Sequence, residues 1–261
     1  MKEIKYVLMR YPSYLEIINP NNKYKNLFCK EKVFNNYNNL LNILSAQGIK
    51  YYFLNTECGP SEVFTRDLGI SLGDTLLICN LTSVSRKKET KNLMEYVRKN
   101  KIKHYVFENK IEGGDVVIFG STIFVGISQR TNEVAIEELT KYVEDNKLKY
   151  KVVPIRFDSE NKLHLDCVFN ILDKKSAILS DYVYDSDKIE EEIKNIYHIS
   201  NESADNLGTN ILALGKKRII CSDTEVMKIL KKAGYKAFYC EYDEIIKVGG
   251  GIGCSTLPIM I

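Results

Sequence analysis

The sequence predicts an α/β fold arranged as a five-fold pseudosymmetric propeller of ββαβ units around a central channel. Three observations lead there. A pattern of two short apolar runs, a helical stretch and a further apolar run recurs four times along the chain. The fifth copy is complete only when the two ends of the chain are joined. No linker interrupts the pattern, so residues 1–261 read as one domain with a single sizeable core.

The elements follow in order. A strand at 5–9, a helix near 30–47 and a strand at 51–54 open the chain, and 256–261 supplies the missing strand of that unit. The next unit reads 68–71, 75–79, a helix near 89–99, then 104–107. A third reads 116–119, 122–126, a helix near 132–145, then 150–153. A fourth reads 167–172, 176–179, a helix near 186–196, then 197–199. The last reads 210–214, 218–221, a helix near 224–233, then 236–240. Short strands joined by Gly or Lys-Lys turns point to a hairpin at the start of each unit. The final helix is the best defined: Ser222 and Glu225 have capping-box spacing, Val226, Ile229, Leu230 and Ala233 share a face, and Gly234 ends it.

A ring of this kind brings its unit starts together, and the out-of-place polar residues sit there. They are Thr65-Arg66-Asp67, Glu112-Gly113-Gly114-Asp115, His164-Leu165-Asp166 and Gly253-Cys254. Cys254 follows Gly249, Gly250, Gly251 and Gly253, and glycines permit a close backbone approach that core packing rarely requires. Taken singly, each residue has an ordinary explanation. Cys254 also reads as an inert buried thiol, His164 as a structural strand-start residue, Asp67 as a partner of Arg66, and Glu112 and Asp115 as turn residues. Together they form a nucleophile, an acid/base and several carboxylates. In an extended segment His164 and Asp166 share one face. His104 and His198 lie in apolar strands at the other ends of their units and read as structural.

Bulk properties exclude several classes. A net charge of +3 gives no reason to expect nucleic acid, and no apolar run is long enough to span a membrane. The N-terminus lacks a signal-peptide pattern. Seven scattered cysteines without a CxxC pair argue against a disulfide framework or a zinc site and favour a reducing cytoplasm.

These residues resemble the guanidine-modifying enzymes of the pentein fold: arginine deiminases, dimethylarginine dimethylaminohydrolases, agmatine deiminases and arginine:glycine amidinotransferases. The resemblance runs nearly end to end. It rests on Arg10-Tyr11-Pro12-Ser13, Phe64-Thr65-Arg66-Asp67, Glu112-Gly113-Gly114-Asp115, Gly126 through Asn132, His164-Leu165-Asp166 and the glycine run to Cys254. It implies Cys254 as nucleophile, His164 as acid/base oriented by Glu112, and Asp67 and Asp166 as guanidinium acceptors. It further implies Arg130 on a substrate carboxylate, with Phe64 and Asp115 also in the substrate site. No metal or cofactor is implied; the partner is a guanidino amino acid.

The departures from the family's pattern bear on the substrate. The chain is too short for the extra helical domain of arginine deiminases. Dimethylarginine hydrolases tend to carry Lys where Asp166 stands and Asp where Ser61 stands. Gly253 replaces a His found in some relatives, and no basic run follows the cysteine. The resemblance therefore implies a hydrolase of arginine or an N-substituted arginine, producing citrulline. An amidinotransferase is the alternative, and a non-enzymatic module like the ribosome-binding pentein factors is the competing class. The polar stretch 13–23 reads as a lid or a plain surface loop, and a homodimer through an outer strand or helix is an expectation only.

Overall fold

A computed structural model describes residues 4–56 and 59–260, so Cys58 and Ile261 lie outside the described residues. Five three-stranded sheets are built to one plan. In each, the middle strand pairs antiparallel with one neighbour and parallel with the other. The parallel partner follows the unit's helix, because a parallel pair needs a crossover connection.

The first unit has β1 (Tyr6–Met9), α1 (Lys30–Ala46) and β2 (Tyr51–Phe53). The second has β3 (Gly69–Leu72), β4 (Thr75–Ile78), α2 (Lys87–Lys99) and β5 (His104–Val106). The third has β6 (Val116–Phe119), β7 (Thr122–Ile127), α3 (Glu133–Asp145) and β8 (Lys151–Arg156). The fourth has β9 (Phe169–Ile171), β10 (Ser176–Leu179), α4 (Ser186–Glu190) and β11 (Asn195–His198). The last has α5 (Asn201–Asp205) leading into β12 (Leu212–Gly215), then β13 (Arg218–Cys221), α6 (Thr224–Lys232) and β14 (Lys236–Tyr239). α7 (Asp243–Ile246) and β15 (Leu257–Ile259) close the chain. β15 completes the first sheet, with Val7 opposite Pro258 on one side and Tyr51 on the other. The unit split between the termini is therefore real.

The apolar core lies between sheets and helices. Leu76, Leu77 and Ile78 of β4 are buried with Leu93 and Val97 of α2, and the same arrangement recurs with Phe124, Val125, Ala135 and Leu139 in the next unit. Burying such side chains stabilises by about 1.5–3 kcal/mol each, which holds every helix on its sheet. Among the described residues no helix is long and apolar enough to cross a membrane.

Two expectations need correction. The fourth helix was expected to reach residue 196 but stops at Glu190. The N–H of Asn195 instead bonds Lys175 O and starts β11, while Glu192 reaches across to Thr122 and Lys151 of the preceding unit. The cap of α6 is Asp223, whose Oδ1 accepts from Val226 N at 2.8 Å. Glu225, expected to pair with Ser222, accepts instead from the hydroxyls of Ser200 and Ser203. Gly234 does end that helix, at φ +81°.

Candidate active site

The unit starts do not run straight into strands. Each is a single tight 3-10 turn: Thr65–Leu68, Gly113–Asp115 and Leu165–Cys167. Side chains on such a turn fan out over a short span, and these three turns pack one against the next with β15 against the first. His164 and Asp166 consequently do not share a strand face. His164 is extended just ahead of the turn and Asp166 lies within it.

The Cys254 loop is fixed at both ends of its peptide unit. Its N–H donates to Asn210 Oδ1 at 2.9 Å, and its carbonyl accepts from Arg66 N at 3.0 Å. Gly251 and Gly253 pack so closely on Asn210 that a Cβ at either would come within 3.0 Å of its Oδ1. A Cβ at Gly250 would overlap the Phe64 ring at 2.2 Å. The glycine run is thus explained mainly by close approach; within it only Gly249 has a positive φ.

Cys254 lines a cavity of about 280 Å³ together with His164, Asp67, Phe64, Arg86 and Arg130. Ile18, from the segment 13–23, also reaches it, while Leu15 and Ile17 beside it are buried. Beneath the cavity wall His164 Nε2 and the fully buried Glu112 Oε2 are 2.8 Å apart. His164 Nδ1 faces Asp67 Oδ1 at 3.7 Å, and neither of those two atoms has a hydrogen-bond partner in the protein. A Cβ at Gly114 would meet the imidazole at 2.7 Å, so glycine there gives the ring its place.

The electrostatics follow from this packing. Burial works to lower the pKa of His164, but Asp67, Asp115 and Glu112 outweigh it and hold the imidazolium well above its ordinary value of 6.5. Burial raises Glu112, yet His164, the Thr82 N–H and Arg130 together bring it below its usual range. Arg130 lies 3.7 Å from Glu112 Oε1 and is partly exposed to the cavity.

Two predicted residues sit elsewhere. Asp115 is fully buried, with one oxygen accepting from Ser128 Oγ at 2.7 Å and the other from Leu165 N at 3.0 Å. It braces the turn after His164 and does not line the cavity, which corrects the expectation of a substrate contact. Asp166 lies behind the cysteine loop. One of its carboxylate oxygens is within 4.8 Å of the sulfurs of Cys254 and Cys167, it faces Arg66 at 3.9 Å, and it lines a separate cavity with Gly253. Burial pushes both Asp115 and Asp166 up to about 6.

Sequence reasoning missed two residues. Arg86 donates to Asp67 Oδ2 at 2.6 Å, to both oxygens of Glu89 and to Phe64 O. It sits in a run of charges, Arg86-Lys87-Lys88-Glu89, that looks like any solvated helix start. Asn210 had a usable signal: it is the start of the last unit, in the place that three other units fill with Asp67, Asp115 and Asp166.

Two groups of donors have metal-ligand spacing, Asp67-Glu112-His164 and Asp166-Cys167-Cys254, each within 4.8 Å. In the first, the 2.8 Å hydrogen bond between imidazole and carboxylate accounts for the contact without an ion.

The chain as a whole is similar to several known proteins. A family model described as N,N dimethylarginine dimethylhydrolase, eukaryotic, matches residues 16–261. The uncharacterized protein YkgA of Bacillus subtilis is 32% identical over 230 residues, covering 86% of this chain and 79% of that one. An arginine deiminase of Mycoplasma capricolum is 25% identical over 262 residues; the match covers 82% of this chain but 64% of the deiminase, under two thirds of its length. Among solved structures, the substrate-bound N-terminal domain of ArgZ, an arginine dihydrolase from cyanobacteria, superposes with a TM-score of 0.87 at 19% identity, covering 98% of both chains. At that identity the likeness speaks to the fold alone, which is the pentein architecture.

Proposed function

The chain belongs to the N,N dimethylarginine dimethylhydrolase family of guanidino-group hydrolases, and on that premise we propose that it cleaves a guanidinium C–N bond of arginine or an N-substituted arginine. The products are citrulline and ammonia or an amine, formed through a covalent intermediate on Cys254. The observation that carries this reading is the cavity that Cys254 shares with two buried, unpartnered atoms, Asp67 Oδ1 and His164 Nδ1.

A guanidinium carbon is resonance-stabilised, so it needs a strong nucleophile and firm orientation. Asp67 Oδ1 accepts guanidinium N–H bonds while its other oxygen stays on Arg86. Phe64, at the cavity wall, packs along the planar group, and Asp166, which lines a separate cavity, is left out of the guanidinium contacts. The substrate's positive charge favours the thiolate of Cys254. Thiolate attack gives a tetrahedral adduct. His164, held as imidazolium, protonates the departing nitrogen, and the C–N bond breaks. Glu112 keeps the ring in place through its bond to Nε2. His164, now neutral, takes a proton from water as the water attacks the thiouronium carbon. The C–S bond then breaks and the thiolate returns. Arg130, at the cavity wall, receives the substrate carboxylate.

The test is turnover read as ureido product with intact-mass detection. Cys254→Ser is expected to abolish product, and a His164 variant is expected to accumulate a covalent adduct. Turnover by Cys254→Ser overturns the nucleophile, and strict dependence on an acceptor amine overturns hydrolysis. Arg130→Ala should weaken arginine far more than agmatine, which lacks the carboxylate; equal losses remove Arg130 from the site.

A further inference from the structure

We propose that Cys167 and Cys254 form a reversible disulfide that switches the enzyme off under oxidising conditions. Their sulfurs lie within 4.8 Å of each other, with an Asp166 carboxylate oxygen completing the cluster. Cys167 ends the turn Leu165–Cys167, and its sulfur is 3.7 Å from Asp166 Oδ1. It has no part in the reaction proposed above.

Several features suit the pair to this chemistry. A disulfide needs sulfurs about 2.0 Å apart, so the two, now within 4.8 Å, have to move toward each other for the bond to form. Both sit on short turns whose backbones are tied down, Cys167 N on His164 O and Cys254 through Asn210 and Arg66. Both are nearly fully buried, but Cys254 faces the cavity, so a small oxidant arriving there meets that sulfur first. The Cys167 thiol is pushed well above its ordinary pKa, first by its hydrogen bond to Cys254 and then by burial, so it stays protonated.

The oxidant is a hydroperoxide. The Cys254 sulfur attacks one peroxide oxygen, the O–O bond breaks, an S–O bond forms, and water or an alcohol leaves after protonation. Cys167 sulfur then attacks the sulfenyl sulfur. The S–S bond forms, the S–O bond breaks, and the Cys167 proton leaves with the oxygen as water. Two thiols have lost two electrons and the peroxide has gained them. A dithiol reverses the step by exchange. The paired state has no nucleophile, and Cys254 is kept from irreversible oxidation to sulfinic acid. The effect on activity rests on the reading of Cys254 given above; the bond itself does not.

The experiment uses the full chain treated with hydrogen peroxide, then alkylated and digested without reductant. Mass spectrometry is expected to find a peptide linking Cys167 to Cys254, and dithiothreitol is expected to restore activity. In Cys167→Ser, peroxide inactivation should become mostly irreversible, with Cys254 found as sulfinic acid. Oxidised Cys254 without that linkage in the wild type overturns the proposal, as does dithiothreitol recovery of Cys167→Ser equal to the wild type. A linkage confined to Cys221 and Cys240, which meet at the ends of β13 and β14, overturns it too. Should Cys167→Ser fail to fold, the wild-type linkage map decides alone. A Cys167–Cys254 linkage without loss of turnover upholds the bond and overturns Cys254 as the nucleophile.

Discussion

Asp67 and Asp115 occupy equivalent turns of adjacent units, 48 residues apart, and both are almost wholly buried. Their surroundings differ. Asp67 has one oxygen on Arg86 and the other unpartnered beside His164. Asp115 has both oxygens satisfied within the protein, by Ser128 and by the Leu165 N–H. A buried acceptor that neighbours already satisfy holds the fold together, and one left open at a cavity is spent on a ligand. The repeat delivers a carboxylate to each position, and the number of nearby donors decides its task.

Substitutions can break this contrast. The largest effect is expected for Asp67→Asn, which keeps the shape but removes the charge that faces the substrate. Turnover efficiency should fall by roughly 10³-fold with little change in melting temperature, in line with losses for a group that stabilises charge in a desolvated site. Steady-state kinetics beside thermal melting check it, and retained activity would move Asp67 out of the site. Arg86→Met comes next. It frees Asp67 Oδ2 and leaves Glu89 without its strongest partner. We expect roughly 10²-fold loss in efficiency. Asp115→Ala should do the reverse of Asp67→Asn. Stranding the Leu165 N–H and the Ser128 hydroxyl costs about 2 kcal/mol, or roughly 5 °C of melting temperature. Activity should fall only as far as His164 loses its position and one of the carboxylates that keep it protonated. Unchanged melting would show that the two aspartates do not divide as described.

Much of this was legible before the structure. The repeat gave the unit order because periodicity reports local burial, and the split first unit followed from counting strands. Cys254, His164, Glu112, Asp67, Phe64 and Arg130 do share or adjoin one cavity. What sequence could not reach depends on the geometry of a few residues. Treating the unit starts as extended put Asp166 beside His164, whereas one 3-10 turn sends it to the other side of the cysteine loop. Arg86 was hidden because its partners Asp67 and Phe64, at the turn that opens its own unit, stand 19 and 22 residues away in sequence. Asp115 was misplaced because a motif marks where a carboxylate stands, not whether donors already surround it.

The smallest effect separates the burial of Asp115 from its bonding. Burial raises its pKa to about 6, and hydrogen bonds and His164 offset only part of that. The folded value lies above the unfolded one of 3.8, so the folded state holds the proton longer. Its contribution to stability is therefore complete below the unfolded pKa and is lost as pH rises through about 6. Asp166 acts in the same direction over the same window, for the same first cause. Glu112 acts oppositely, since its lowered pKa makes its contribution disappear as pH falls. In Asp115→Asn one of these downward contributions is gone, while those of Asp166 and of Glu89, which burial also raises, remain, so melting temperature should decline less between about pH 4 and 6, by a few degrees. The comparison is of slopes, which separates it from any constant loss at the Ser128 and Leu165 contacts. Parallel slopes for the wild type and Asp115→Asn would mean that Asp115 is ionised throughout, held by its two donors more strongly than burial opposes it.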